Sequence, residues 1–502
     1  MENIQSEKHR ILPQLSLLDA VSITVSSIIG SGIFISPKGV FQNVGSVGLS
    51  FFVWIFCGII EIFSSLCWVE LALAMPKFGG QYHYVHEIYG DFPAFTFQWL
   101  FFCVKYPASM VIRTLTFSEY ILVPFFQNCE VPQICLKLVS LLITMLCGFM
   151  NATSVRVSKG TVNFLMAAKI LALAIIIVTG LVYLFINGDR SGNFENSFEN
   201  INWNKLGLAY YAAIWSFGGG DTMMAMTEEF RNPKRDFPKA TIISIAAVIC
   251  LYILANLAYF AVLTPNEMLA SNAVAVTFSE KTPSSFRWII PILVSLSSIP
   301  MTGFLSTPRS FYATARDGLF PESIALVSIK YKTPIGSIII CCILILAYLF
   351  FDIWTLITYV GFVTTCCDGL ALSTIFVLRW CRPDINKPFK VPIAFPIISL
   401  VTFVGGIVLA AVSAPMDALV GLALTITVIP AYLLGVYPKT KLAVAGKISG
   451  FVTRFFQILT VSLPEDKEEN NHTNISPLTQ PSVRGYRTST PLVLGKGNIV
   501  EG

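Results

Sequence analysis

Ile28-Ile-Gly-Ser-Gly-Ile-Phe34 lies inside an otherwise apolar segment that begins near Leu17. Two glycines around a serine interrupt what would otherwise be a helix long enough to cross a bilayer. Glycine weakens a helix interior and lets another backbone or a ligand come close. Unpaired backbone cannot face lipid, so a break here is buried in protein or lines a cavity. A second interruption, Ser216-Phe-Gly-Gly-Gly220, stands far downstream in mid-segment and is followed by Asp221. Paired interruptions in the two halves of a polytopic chain point to a binding site between them.

Outward from the breaks, the 502-residue chain is 54% hydrophobic and 13% charged, with a mean hydropathy of +0.69. That balance excludes a soluble globular class and fits an all-α protein with many spans set among membrane lipids. A net charge of +5 is too small to indicate nucleic acid as a partner. The first apolar run reads as a span rather than a cleavable signal. The 12 cysteines are scattered mostly through apolar segments, where they act as small hydrophobes, and no spacing suits a metal.

With about 20 apolar residues per span, about twelve segments can be marked. They are 17–40, 48–75, 94–126, 136–150, 161–186, 206–230, 240–263, 287–305, 334–351, 353–378, 393–412 and 418–436. Lys and Arg vote on orientation. Lys8, Arg10, Arg156, Lys159, Arg231, Lys234, Arg235 and Lys239 fall on one side. Arg316, Lys330, Lys332, Arg379, Arg382, Lys387, Lys390, Lys439, Lys441 and Lys447 join them, against Lys38, Arg190, Lys205 and Lys281 opposite. The positive-inside rule then places both termini in the cytoplasm. Residues 1–16 become a cytoplasmic N-terminal segment, 17–437 a transmembrane domain and 438–502 a cytoplasmic C-terminal segment, with disorder expected from about Pro464. The sequons at Asn151, Asn471 and Asn474 fall on the cytoplasmic side or in the tail, where glycosylation does not occur. The bare outer loops leave room for a glycosylated partner.

Broken helices expose N–H groups at one end and C=O groups at the other, with matching dipole ends. The N–H groups of Ser31, Gly32 and Ile33 suit a carboxylate, and the C=O groups of Ile28 and of Trp215–Gly218 suit an ammonium. A free α-amino acid carries both on one carbon, so a transporter of amino acids is the reading that fits. The alternative is that the glycines only let helices pack; two breaks, in spans one and six, favour the site.

Asp221 is the sharpest single residue, because a carboxylate near the bilayer centre costs on the order of 3 kcal/mol. Opposite charges at ~4 Å recover roughly 4 kcal/mol at an effective dielectric of ~20, so a cationic side chain or an ion beside Asp221 offsets that cost. Capping of the lower half-helix is equally compatible. Lys169, in mid-span five, can tie spans one and eight together as a fixed cation. Arg113 and Glu119 in span three are expected to face water near the outer mouth. Asp368 in span ten is either one member of a structural pair or a substrate contact. Cys129, in the outer loop after span three, suggests an intermolecular disulfide, with a local bond to Cys135 as the competitor.

Ser26–Phe34, Gly79-Gly80-Gln81-Tyr82, Lys169-Ile-Leu-Ala-Leu and Thr227-Glu-Glu-Phe-Arg-Asn-Pro233 together resemble the amino acid–polyamine–organocation superfamily. More closely, the chain resembles light subunits of the heteromeric amino-acid transporters, from about Leu15 to Tyr437. The resemblance implies the LeuT-type fold: twelve spans, inverted repeats over about 17–186 and 206–378, two further helices over 393–436, and helices 1 and 6 broken at the substrate site. It implies obligatory exchange of amino acids at the plasma membrane and a disulfide from Cys129 to a single-span glycosylated heavy chain. Carried over, Ile28, Ile29, Gly30, Ser31, Gly32, Ile33, Trp215, Ser216, Phe217, Gly218, Gly220 and Asp221 line the substrate site. Trp215 takes the gate position, and Lys169 stands where sodium sits in sodium-driven relatives.

L-type members, the sodium-independent exchangers of large neutral amino acids, have Gly-Gly-Trp-Asn after the gate. This chain has Gly218-Gly219-Gly220-Asp221. The Asp, with Tyr106-Pro107, resembles the y+L-type branch, which exchanges cationic amino acids for neutral ones taken with sodium. No other cofactor is implied. Gly220 in place of Trp is expected to leave room for a larger substrate side chain.

Two other classes are weaker. Gly218-x-Gly220-Asp221 also resembles intramembrane aspartyl proteases, with Asp368 as the second acid, but the Tyr-Asp pair and Pro-Ala-Leu of that family are missing. A channel lacks any filter-like sequence. His83 and His86 read as loop or packing residues, and no nucleophile–His–acid set marks an enzyme.

Overall fold

The apolar segments form helices, the only open-ended structure that satisfies its own backbone in lipid. A computed structural model describes residues 16–464 apart from 77–79, 127, 128, 130, 189–193, 195, 196, 225–229, 284, 285, 332, 384, 386, 436–452, 455, 459 and 461. The expectations for residues 1–15, for the second half of span six at 225–229 and for the tail from 465 lie outside the described residues.

Span one is two helices, α1 (Leu17–Ile28) and α2 (Gly32–Val44), bent by 51° at the break. α2 runs past Val40 to Val44, where Gly45 closes it with φ +71°. α3 (Val47–Ala74) starts where the Ser46 side chain accepts the Leu49 N–H. α4 (Gln81–Tyr89) and α5 (Asp91–Leu100) follow, and then Phe101–Lys105 widens into a π-helix before α6 (Tyr106–Leu122). Pro107 accounts for the widening. It has no N–H for the Cys103 carbonyl, and the Tyr348 hydroxyl donates to that carbonyl at 2.7 Å instead.

α7 (Gln133–Thr153) is a full span, longer at both ends than 136–150, and α8 (Val155–Asn187) is the longest helix described. α9 (Leu206–Phe217) stops at the second break. Beyond it come α10 (Pro233–Val262) and two short loop helices, α11 (Pro265–Ala270) and α12 (Val274–Glu280). α13 (Phe286–Ser297) and α14 (Met301–Arg316) carry span eight to Arg316, well past the expected 305. The remaining helices are α15 (Ile335–Tyr348), α16 (Ile353–Trp380), α17 (Ala394–Ser413), α18 (Pro415–Ile426) and α19 (Val428–Gly435).

Among the described residues nine helices are long and apolar enough to cross a membrane, or ten with the bent α1–α2 pair as one span. α9 and α15, too short by that measure, supply the other two of the twelve expected segments. One detail departs from an all-helical chain. β1 (Leu326–Ser328) pairs antiparallel with β2 (Ser462–Pro464), so the residues just before the tail fold back onto the loop after α14.

The apolar faces of α17 and α18, including Val401, Val412 and Leu419, are exposed, as lipid contact requires. At the end of α16, Arg379 is not a free loop cation. Its Nε donates to Glu70 Oε1 at 2.8 Å, its Nη2 bonds Glu70 Oε2 and the Val391 carbonyl, and both side chains are buried. Val391 N–H also donates to Glu70 Oε2 at 2.8 Å. This bidentate, fully bonded pair ties α3 to α16 and to the chain entering α17.

Candidate functional site

The two breaks meet. A β-carbon on Gly32 would lie 2.7 Å from the Cα and the Oγ of Ser216, and one on Gly219 would lie 2.9 Å from the Ser27 carbonyl. Gly219 also holds φ +117°, a conformation that only glycine adopts without strain. Ser216 Oγ donates to Ser36 Oγ at 2.8 Å, which pins α9 to α2.

On α1 the helix stops with Ile29 N–H bonded to the Val25 carbonyl. Among the described residues the N–H groups of Gly30, Ser31, Gly32 and Ile33 have no backbone acceptor. Ser31 Oγ is buried with no hydrogen-bond partner. A buried hydroxyl beside four free N–H groups at a helix start is the arrangement that binds a carboxylate.

The carbonyl side is also assembled. Tyr252 on α10 reaches across with its hydroxyl, 3.2 Å from the Ile28 carbonyl and 3.0 Å from the Ser216 carbonyl. One buried donor thus bridges the carbonyl ends of both broken helices, where the ammonium of a zwitterion would also bind. Ile28, Ile29 and Ile33 turn their side chains into the core. Phe217 packs against Trp54 and Tyr252 with ring centroids 5.9 Å and 5.1 Å away. Trp215 is half-buried and Gly218 exposed.

The space beside Gly220 is not empty. A β-carbon there would lie 2.5 Å from Glu61 Oε1 and 2.6 Å from Ser65 Oγ, both on α3. The expected room for a larger substrate side chain is occupied by a carboxylate. Asp221, next along, is half-buried. Its backbone carbonyl accepts the Met224 N–H at 3.0 Å, and among the described residues its carboxylate caps no helix N–H.

Lys169 is buried, 7% exposed. Arg113 and Glu119, expected to face water, are both half-buried. Lys38 Nζ donates to the Ser271 carbonyl at 2.6 Å. Asp368 stands 3.7 Å from Lys105 Nζ, so it faces a cation, unlike the second acid of a protease pair. Cys129 is exposed and unbonded, and no bond joins it to Cys135. Sequence reading does not single out Tyr252, Glu61 or Lys105. A charge within a span is the signal that finds the last two; nothing in the sequence marks Tyr252.

An amino acid permease family model matches residues 15–457. The chain is 40% identical over 434 residues to large neutral amino acids transporter small subunit 2 of Homo sapiens, which covers 85% of this chain and 81% of that one. It is 36% identical over 480 residues to Asc-type amino acid transporter 1 of Homo sapiens, covering 93% and 91% of the two chains. It is 36% identical over 465 residues to the cystine/glutamate transporter of Homo sapiens, covering 92% of each.

Proposed function

The chain belongs to the amino acid permease family, whose members are transporters rather than enzymes, and from that premise we propose that it exchanges free L-amino acids across the plasma membrane. It takes cationic and large neutral substrates, the neutral ones with sodium. It works as the light subunit of a heterodimer, bonded through Cys129 to a single-span glycoprotein heavy chain. In this reading residues 17–437 form the transporter domain, 17–186 and 206–378 are its inverted repeats, and both termini are cytoplasmic.

One observation carries the reading. The N–H groups of Ser31, Gly32 and Ile33 have no backbone acceptor among the described residues, and the Ile28 and Ser216 carbonyls converge on the Tyr252 hydroxyl, so the breaks carry both poles that a zwitterion needs. Trp215 closes over the bound substrate. Lys169, buried and without a carboxylate beside it among the described residues, is the fixed cation of span five.

Asp221 supports the cationic arm. Moving one charge across the membrane is worth ~2.3 kcal/mol per 100 mV. Exchanging a cationic amino acid for a neutral one plus sodium moves no net charge, and Asp221 meets a positive charge in either direction. A second reading, sodium-independent exchange of large neutral substrates, is favoured by the name of the 40%-identical small subunit. The deciding experiment measures radiolabelled arginine and leucine uptake, with and without sodium, in cells co-expressing a heavy chain and preloaded with either amino acid. Trans-stimulated uptake of both is expected, with leucine uptake rising in sodium. Uptake indifferent to preloading overturns exchange, and arginine uptake at background selects the neutral reading.

A further inference from the structure

The short ribbon of β1 and β2 has no part in zwitterion binding. In it Leu326 stands opposite Pro464, Val327 opposite Leu463 and Ser328 opposite Ser462. The Ser328 N–H is turned away to the Thr333 carbonyl at 2.9 Å, and Pro464 has no N–H to give. The ladder bonds therefore fall on Val327 and Leu463 between them, the register in which a strand tolerates proline. β1 itself is firmly seated. Leu326 is fully buried, and Thr333 Oγ1 donates at 2.7 Å to the Ala152 carbonyl at the end of α7. α15 comes so close at Gly336 that a β-carbon there would strike the Ser323 carbonyl. β2 thus closes onto a platform built by the ends of α7, α14 and α15.

Ser462 is the residue of interest. It is 2% exposed, and its hydroxyl lies 2.7 Å from Thr460 Oγ1. Thr460 gives its own proton to the Phe456 carbonyl at 2.7 Å, so Ser462 is the donor of the pair. A phosphoryl group on Ser462 would remove that donor and bring roughly −2 charge into a buried position, which a closed ribbon cannot hold. The surrounding sequence carries a matching signal. It reads Ser462-Leu-Pro-Glu465-Asp466, with Glu468 and Glu469 just beyond. Carboxylates three or more places after a serine suit a kinase whose substrate cleft is basic. An isolated two-stranded ribbon is marginal, and chain ends open at little cost. Ser462 is hidden while β2 is paired and presented when β2 lifts off.

We propose that Ser462 is a phosphorylation site for an acidophilic Ser/Thr kinase, and that its phosphate holds β2 off β1. The Ser462 oxygen attacks the γ-phosphorus of ATP, the bond from that phosphorus to the bridging oxygen breaks, ADP leaves, and the hydroxyl proton passes to solvent. Unmodified, the segment closes on β1. Modified, it stays open, because pairing again would bury the new charge. Capture of the phosphate by the exposed Lys330, two residues past Ser328, is the competing outcome and would tighten the ribbon instead. Access for a cellular kinase rests on the proposed topology, with the C-terminus in the cytoplasm.

The test uses the full chain purified with its heavy chain in detergent, where both faces are open to an added enzyme. The complex is incubated with ATP and a purified acidophilic Ser/Thr kinase. Mass spectrometry locates the phosphate, and hydrogen exchange is followed over the peptide that holds 326–328. Phosphate is expected at Ser462 in the wild type. Val327→Pro removes a ladder donor and leaves Ser462 in place, so it should speed incorporation there roughly fivefold, since a site open in a fraction of molecules reacts in proportion to that fraction. Phosphorylated wild type should lose about tenfold in exchange protection over 326–328. Ser462→Ala, treated alongside, should keep its protection, which separates Ser462 from any other phosphate in the tail. No phosphate at Ser462 in the wild type overturns the site. Incorporation no faster in Val327→Pro, or protection that is unchanged or higher after phosphorylation, overturns the release. Failure of the topology looks different: a C-terminal epitope would stain on intact cells, while the purified complex would still be modified.

Discussion

A β-carbon placed on Gly32 would lie 2.7 Å from the Cα of Ser216, so spans one and six touch backbone to backbone at their breaks. Every feature of the site depends on that approach. It brings the free N–H groups of one helix start to the carbonyl end of another helix, and it lets one tyrosine reach both carbonyls.

Gly32→Ala should therefore abolish uptake. The atom it meets is backbone, which cannot swing aside, and overpacking of this kind costs about 1–3 kcal/mol. The variant should still reach the cell surface, because the rest of the helix interface is untouched. Surface biotinylation alongside leucine uptake checks this, and normal uptake with normal surface signal would contradict the contact.

Tyr252→Phe removes one hydroxyl and leaves two buried carbonyls, at Ile28 and Ser216, without that donor. An unsatisfied buried acceptor costs about 1–3 kcal/mol. The purified complex should melt several degrees lower than wild type, and substrate should recover more of the loss because its ammonium replaces the missing donor. A melting temperature unchanged by the substitution would show that the bridge contributes nothing.

The breaks were legible because glycine in mid-span has few other uses, and the spans because lipid demands length. The partners of the breaks were not. Tyr252 lies on an unremarkable apolar helix, and only folding brings its hydroxyl 3.0 Å from Ser216. Glu61 and Lys105 each sit within an apolar run that still reads as a span despite the two or three charges it holds. Arg379 looks like a cytoplasmic loop cation because it ends a helix; its buried partner, Glu70, is 309 residues away. Local pattern fixes where helices start and stop, whereas long-range pairing decides what their charges do.

The Glu70–Arg379 pair gives a stability prediction. Glu70→Ala strands a guanidinium that is 6% exposed and removes the acceptor of the Val391 N–H. Breaking one side of a buried pair costs roughly 3–5 kcal/mol. The double change Glu70→Met with Arg379→Met should recover a large part of that loss in thermal unfolding. Additive losses in the double variant would mean that the two side chains are not coupled.

Outside the spans, Glu267 is held at about 2, below its ordinary value of 4.5, first by hydrogen bonds from Lys281 Nζ and then by the Thr264 N–H. A depressed carboxylate contributes stability at pH values above its unfolded value and loses it as pH falls through the folded one. The α11–α12 loop should keep constant hydrogen-exchange protection above about pH 5 and lose it progressively between about 4.5 and 2. The effect is modest and salt-sensitive, because the pair is 37–38% exposed. Glu267→Gln should flatten the pH dependence; a profile that keeps its slope places the titration elsewhere.

Pro107 sets the position of Lys105. By withholding an N–H from the Cys103 carbonyl it leaves that carbonyl to Tyr348 and the preceding turn to the π-helix. Pro107→Ala supplies the N–H, and an ordinary α-turn becomes available. Each residue of an α-helix turns by about 100°, so annealing out the extra residue swings Lys105 off Asp368 by roughly that angle. The Lys105–Asp368 pair should then open, and the ratio of arginine to leucine uptake should change without any change in the charge of the chain. Tyr348→Phe, which removes the substitute donor but restores no N–H, should lower thermal stability and move the ratio much less. If Pro107→Ala leaves the ratio where it was, the π-turn does not position Lys105.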